Sequence, residues 1–299
     1  MNLKHQIHRD CDQELGICGV TDSREPMPVK KPIEIYTFID PLCSECWAIE
    51  PILKKLQVEY GHYFKIRVLL SGKLSVWNAC ELHTSKSKKV WLERFKSSTM
   101  ACAGDVEFSN MDLHPYKAFL AIKAAELQGP KAGHRFLRKM RESLFLKKKN
   151  VTDEETLKEC AQEADLDLEA FLSDLHSPSA SKALQCDVQT TSEMDVDAVP
   201  TFVYFNGNSE DAGIKVSGQY PYHIYVQLLE DMLGYKPKKA IQPELESFLK
   251  HYGFLATAEV ATVLDISDEE AEKQLKSLML QQKVEAVPFK YGTFWKWIA

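Results

Sequence analysis

Two cysteines two residues apart, Cys43-Ser44-Glu45-Cys46, have the spacing of a thiol–disulfide pair. A thiol attacks only as its thiolate, and the partial positive charge of a helix N-terminus stabilises that form. With the first cysteine at such an end, the second is placed to resolve a mixed disulfide. Trp47 follows directly and would cover one side of the pair. Glu45 opposes this chemistry, because a carboxylate beside Cys43 repels a thiolate by about 1 kcal/mol at ~5 Å in water and by more when shielded. The expectation is a weaker oxidant than a site with His or Pro there. A pair of merely buried or metal-binding cysteines is the alternative.

A second constellation lies in the leader, where His5, His8, Cys11 and Cys18 supply four soft or borderline ligands. Imidazole and thiolate in that number suit tetrahedral zinc, with Asp10 and Asp12 as substitute ligands. The alternative is a tail in which these residues are incidental. Oxidation of Cys11 or Cys18 would remove a thiolate and release the metal. Cys80, Cys102, Cys160 and Cys186 stand apart from one another and read as buried small hydrophobes.

The elements that must position the pair are legible around it. Residues 33–39 are β-branched and aromatic and end at Asp40-Pro41, as a buried strand does. Apolar residues then recur at helical spacing from Cys43 to Tyr60, and 64–70 is a second strand. Strand, helix and strand make a βαβ unit and hence a parallel pair. Residues 73–195 hold a helical block, with runs at 86–101, 115–128, 130–146, 153–164 and 167–176. A strand opened by Pro200 follows, then the Asn206-Gly207 turn, a return strand over 214–216 and a helix over 221–233.

Gly234-Tyr235-Lys236-Pro237 breaks that helix. Three domains are expected: a leader and linker over 1–31, a core over 32–236, and a small domain over 241–299. The last reads as three helices (243–251, 257–264, 267–283) and a hairpin (284–287, 294–298), a winged-helix-like pattern. It carries six Lys against nine Asp or Glu, and its third helix opens Asp268-Glu269-Glu270. Such a surface repels nucleic acid, which leaves protein interaction or structural docking. Lys131, Arg135, Arg138, Lys139, Arg141 and Lys147–Lys149 form a basic helix face, expected to be solvated.

Asp40-Pro41-Leu42-Cys43-Ser44-Glu45-Cys46-Trp47, with Ala198-Val199-Pro200-Thr201-Phe202 and Gly218-Gln219, resembles the DsbA-like thioredoxin superfamily in its cytosolic branch. The resemblance implies an α/β thioredoxin fold with a large helical insertion, in which Pro200 is a cis-proline facing Cys43 and Cys46. A trans proline guarding a sheet edge is the other reading of Val199-Pro200. With the His/Cys-rich leader included, nearly the whole chain is similar to the Spx adaptor proteins of Gram-positive bacteria. That family binds the regulator Spx and promotes its degradation by the ClpXP protease, and its leader is regarded as zinc-binding and redox-sensitive. A cytosolic thiol–disulfide oxidoreductase is the competing function.

Bulk properties agree with either. The chain is 44% apolar and 27% charged, an ordinary globular balance. A net charge of −6 offers no general attraction to nucleic acid or anionic membrane. Neither a secretory leader nor an apolar run long enough to span a bilayer is visible, so the expected compartment is the cytosol. If the leader takes zinc, emission spectrometry of the purified chain should find it, and Cys11→Ser should lower the content. A zinc-free preparation contradicts the assignment.

Overall fold

The computed structural model describes residues 31–71, 100, 102, 115–208 and 211–299, with the backbone of 11–12 and 17–18. His5, His8 and Cys80 lie outside them, as does almost all of the helix expected over 86–101. Met1–Lys31 is a unit of its own, in which Cys11–Asp12 (β1) pairs antiparallel with Ile17–Cys18 (β2) and Cys11 stands opposite Cys18. Pro32–Ala299 is the second unit.

Ile33–Ile39 (β3) has five fully buried residues (Ile33, Ile35, Thr37, Phe38, Ile39), as a strand covered on both faces requires. The chain turns at Asp40-Pro41, runs through Ser44–Ala48 (α1) and Glu50–Tyr60 (α2), and returns as Phe64–Leu70 (β4), parallel to β3. The single helix expected from Cys43 to Tyr60 is therefore two. Pro51 occupies the first turn of α2, where a missing N–H is tolerated, but it cannot extend the ladder of α1. Ile49 ends one helix and begins the other.

The helical block contains Pro115–Leu127 (α3), Pro130–Phe145 (α4), Glu154–Glu163 (α5), Leu168–Leu175 (α6) and Pro178–Glu193 (α7). The first four lie where the apolar period places them. The fifth was not expected, because two of its four buried residues are the polar Asp187 and Thr191. Its start is nonetheless signalled: Pro178 opens the first turn and Ser177 Oγ accepts the Ala180 N–H at 3.1 Å. Asp187 is held inside by Lys123 at 2.5 Å and by the Leu70 N–H at 2.8 Å.

Thr201–Asn206 (β5) pairs antiparallel with β3, and Ile214–Ser217 (β6) pairs with β5, giving the order β4-β3-β5-β6. Phe38 stands opposite Thr201, so the end of β3 and the start of β5 meet at one end of the sheet. Tyr222–Leu233 (α8) covers a sheet face, with the Tyr225 ring edge-on to Phe202 at 5.4 Å.

The three helices and hairpin expected near the C-terminus are present as Leu245–Tyr252 (α9), Thr257–Leu264 (α10), Asp268–Leu280 (α11), Val284–Phe289 (β8) and Gly292–Trp297 (β9). A further strand, Phe254–Ala256 (β7), is too short to show a period and completes a sheet of order β7-β9-β8. Phe248, Leu255, Val260, Leu275 and Trp295 form this module's own core. Phe294 instead joins the main core beside Trp47, Phe119 and Phe136.

The basic face of α4 is not the solvated surface that was expected. Arg138 donates to both Glu259 oxygens, at 3.0 and 2.9 Å, and to Glu142 at 2.8 Å. Arg141 is 2% exposed and donates to Glu50 at 2.6 Å. Apart from Glu142 on α4 itself, their acidic partners come from α2 and α10, distant in the chain. Arg135, which is exposed, and the end of the run behave as expected, with Lys147 and Lys149 pairing Glu163 and Glu159 in solvent.

Burial alone would raise the Glu259 carboxyl, but the charges of Arg138 and Lys54, with hydrogen bonds from Arg138 and the Ala256 N–H, hold it at about 2. Against an ordinary value of 4.5, the stability this residue contributes is present above that pH and is lost as pH falls toward 2. Glu259→Gln should cost at most roughly 3–5 kcal/mol at pH 7, because Arg138 loses its bidentate partner and keeps only Glu142 and Glu50. It should also flatten the acid limb of stability measured by denaturant titration. An unchanged acid limb contradicts this placement.

Candidate thiol site

Cys43 and Cys46 sit where β3 ends and β5 begins. Cys43 is the N-cap of α1, with extended backbone (φ −80°, ψ 124°), and its carbonyl accepts the Trp47 N–H at 3.2 Å. Cys43 is half-buried, while Cys46 is 1% exposed. The Cys46 thiol donates to Cys43 Sγ and lowers its pKa, against burial and the charge of Asp40, with help from the N–H groups of Cys46 and Glu45. Burial, then the bond and charge of Cys43, push Cys46 well above the ordinary 9.0. The outer sulfur is thus the more acidic thiol of the pair and the inner one the less acidic.

The carboxylate that opposes Cys43 most is Asp40 and not Glu45, as the adjacency in sequence suggested. Glu45 acts on Cys43 through its N–H, and its carbonyl is held by Gln219 Nε2 at 2.7 Å. The Asp40 carboxyl accepts the Leu42 N–H at 2.7 Å. Burial raises it to about 6, against the Leu42 bond and the charge of Arg141. That value lets it take or give a proton near neutrality.

The Val199–Pro200 bond is cis. Pro200 O accepts the Gly218 N–H at 2.7 Å, and Thr201 Oγ1 donates to Ala198 O at 2.7 Å, which fixes the loop entering β5. Val199 packs on the cluster that contains Cys46, as Cys43 does.

Behind the pair, Trp47 is wholly buried. Its ring stacks on Phe145 (5.6 Å, 25°) and Phe294 (6.2 Å, 14°), and the Arg138 guanidinium lies over it at 4.8 Å. The C-terminal module therefore forms part of the backing of the thiol site. Sequence reasoning missed Asp40, Arg141 and Phe294. Asp40-Pro41 was read as a strand break and as part of the family motif, and the acid three residues before Cys43 was given no electrostatic part.

Of the leader ligands, Cys11 and Cys18 stand opposite each other and His5 and His8 lie outside the described residues. Among the described residues no group of three or more His, Cys, Asp or Glu is placed to hold a metal ion. Cys102 and Cys160 are buried, and Cys160 donates to Ser143 Oγ at 3.3 Å and is pushed by burial to about 11. Cys186 is exposed on α7, contrary to expectation. No helix among the described residues is long and apolar enough to cross a membrane.

Residues 36–227 match the Thioredoxin family profile. The chain is 69% identical to a Shouchella clausii protein, over 100% of both chains. It is 56% identical to one from Halalkalibacterium halodurans (98% and 99% covered) and 48% to one from Bacillus subtilis (89% and 90%). All three carry the name ClpXP adapter protein SpxH. Two solved structures share the DsbA-like fold. One, from Nitrosomonas europaea and assigned as a protein disulfide isomerase, aligns with TM-score 0.57 at 17% identity over 69% of this chain and 98% of that one. The other, from Streptomyces coelicolor and assigned as a DsbA oxidoreductase, aligns at 0.50 and 16%, over 71% and 95%.

Alkylation at graded pH should modify Cys43 with a midpoint below the ordinary 9.0, and Cys46 only on unfolding. Asp40→Asn should lower that midpoint further, and Glu45→Gln should move it less. A midpoint at or above 9, or a larger effect of Glu45, contradicts this electrostatic assignment.

Proposed function

Because this chain belongs to the SpxH family of ClpXP adapter proteins, we propose that it delivers the regulator Spx to the ClpXP protease in the cytoplasm. The observation that carries this reading is the extent of the likeness. Relatives of that name match from the leader through the C-terminal module, one of them over 100% of both chains. Thiol exchange at Cys43 needs β3, α1 and the loop before β5, and it calls for neither a His/Cys-rich leader nor an acidic C-terminal module.

In this reading the thioredoxin core and the C-terminal module, locked together through Glu259, form one rigid body that holds the substrate. A rigid holder loses little conformational entropy on binding. The leader supplies the response to oxidants: Cys11 and Cys18, with His5 and His8, hold zinc until a thiolate is oxidised. The opposed positions of Cys11 and Cys18 on their short hairpin support that donor set. Thiol–disulfide exchange is the second reading, favoured by the lowered pKa of Cys43.

Reconstituted ClpXP proteolysis of purified Spx separates the two. Addition of this chain should accelerate degradation at least tenfold, and a Cys43→Ser, Cys46→Ser variant should retain most of the acceleration. No acceleration by the unmodified chain contradicts the adapter reading. Loss of it in the double variant would make the thiol pair the functional centre.

A further inference from the structure

Arg141 on α4 is paired at only one of its three nitrogens. Its Nη1 donates to Glu50 Oε1 at 2.6 Å, while Nε and Nη2 have no hydrogen-bond partner among the described residues, at 2% exposure. A buried donor without an acceptor costs its full desolvation, and two on one cation call for an explanation. The two idle groups are neighbours. Nε–H and Nη2–H run parallel along one edge of the guanidinium, at the spacing of the two oxygens of a carboxylate.

The charge around Arg141 points the same way. Arg141 belongs to a connected set of ion pairs, in which it shares Glu50 with Arg138 at 2.6 and 3.6 Å. Arg138 and Lys139 hold Glu142, and Arg138 and Lys54 hold Glu259. Lys54, Arg138, Lys139 and Arg141 are thus four cations against the three anions Glu50, Glu142 and Glu259, and none of these side chains is more than 26% exposed. One positive charge in a largely desolvated network is uncompensated, and a buried charge is stable only when it is paired.

The other titratable groups facing this region do not supply the pair. The Asp40 carboxyl accepts the Leu42 N–H at 2.7 Å, has no ion pair among the described residues, and is raised by burial to about 6. Burial lowers the pKa of His134 on α4, so it brings no charge near neutrality, and burial pushes Tyr252 on α9 up to about 12.

We propose that the Nε–Nη2 edge of Arg141 binds one small monocarboxylate, which serves as the fourth anion of the network that docks the C-terminal module. Two parallel N–H···O bonds hold its oxygens, and its single negative charge meets the single excess positive charge. Burial sets the size limit: at 2% exposure the ligand enters by local opening of α4, which admits an acid as small as formate or acetate and makes exchange slow. Chloride carries the same charge but has no second atom for the second donor. Arg138 shares Glu50 with Arg141 and also holds Glu259, so occupancy of the site strengthens the docking of α10.

The test follows thermal unfolding of the full chain, dialysed into carboxylate-free buffer, against added formate, acetate or chloride at constant ionic strength. Formate and acetate should raise the midpoint by at least about 2 °C, saturating within ~50 mM, and chloride should not. Arg141→Lys keeps the charge but lacks the parallel donors, and should lose most of the shift. Carbon-13 formate supplies a reading independent of stability: the full chain should show a bound NMR line that excess unlabelled formate displaces, which keeps the test decisive if Arg141→Lys fails to fold. A midpoint that follows chloride and the carboxylates alike, an undiminished carboxylate shift in Arg141→Lys, or the absence of a bound formate line overturns the proposal.

Discussion

The contact between Arg138 and Glu259 joins the two halves of Pro32–Ala299. It is bidentate, at 3.0 and 2.9 Å, and Glu259 has no solvent contact at all. Desolvating two charges is expensive, and the geometry offsets this because both Glu259 oxygens accept from Arg138, whose Nε also donates to Glu142. Lys54 adds a third contact to Glu259 at 3.2 Å, and the Ala256 N–H closes its cap at 2.8 Å. A pair of this kind dictates one docking geometry, since any shift strands a buried charge. From that geometry follows the stack of Phe294, Trp47 and Phe145, and from the stack the placement of the helix that carries Cys46.

The thiol site thus depends on a module that thiol exchange does not require. Fold and function separate here as they do across common scaffolds: the thioredoxin core brings a nucleophilic Cys43, a buried Cys46 and a nearby acid, while the family relationship points to protein delivery. The two are physically compatible. A partner reading the outer face would meet the half-exposed Cys43, while Cys46, Asp40 and Arg141 remain on the protected side.

Much of the fold was readable from periodicity. Strands β3 and β4 and helix α10 lie where apolar spacing placed them, because each has a face dictated by burial. What escaped reading shares one cause, namely that its determinants are distant in the chain. Arg138 looked solvated because its partner Glu259 is 121 residues away. Helix α7 was hidden because its inward Asp187 is satisfied by Lys123 and by the end of β4. At the thiol site, Glu45 is nearer to Cys43 along the chain than Asp40, but Asp40 is the stronger charge upon it. The cysteine pair was legible because its spacing is local, whereas the cis state of Val199–Pro200 was implied only by the family resemblance.

Native-state hydrogen exchange on the full chain measures most directly whether the core and the C-terminal module are one cooperative body. The slowest amides of α2 and of α10 should open with the same free energy, and Arg138→Met should lower both together. Slow amides in α10 that open at a distinctly lower free energy than those of α2, with Arg138→Met leaving α2 unchanged, would mean that the module is an appendage and that the buried ion pair does not hold the thiol site in place.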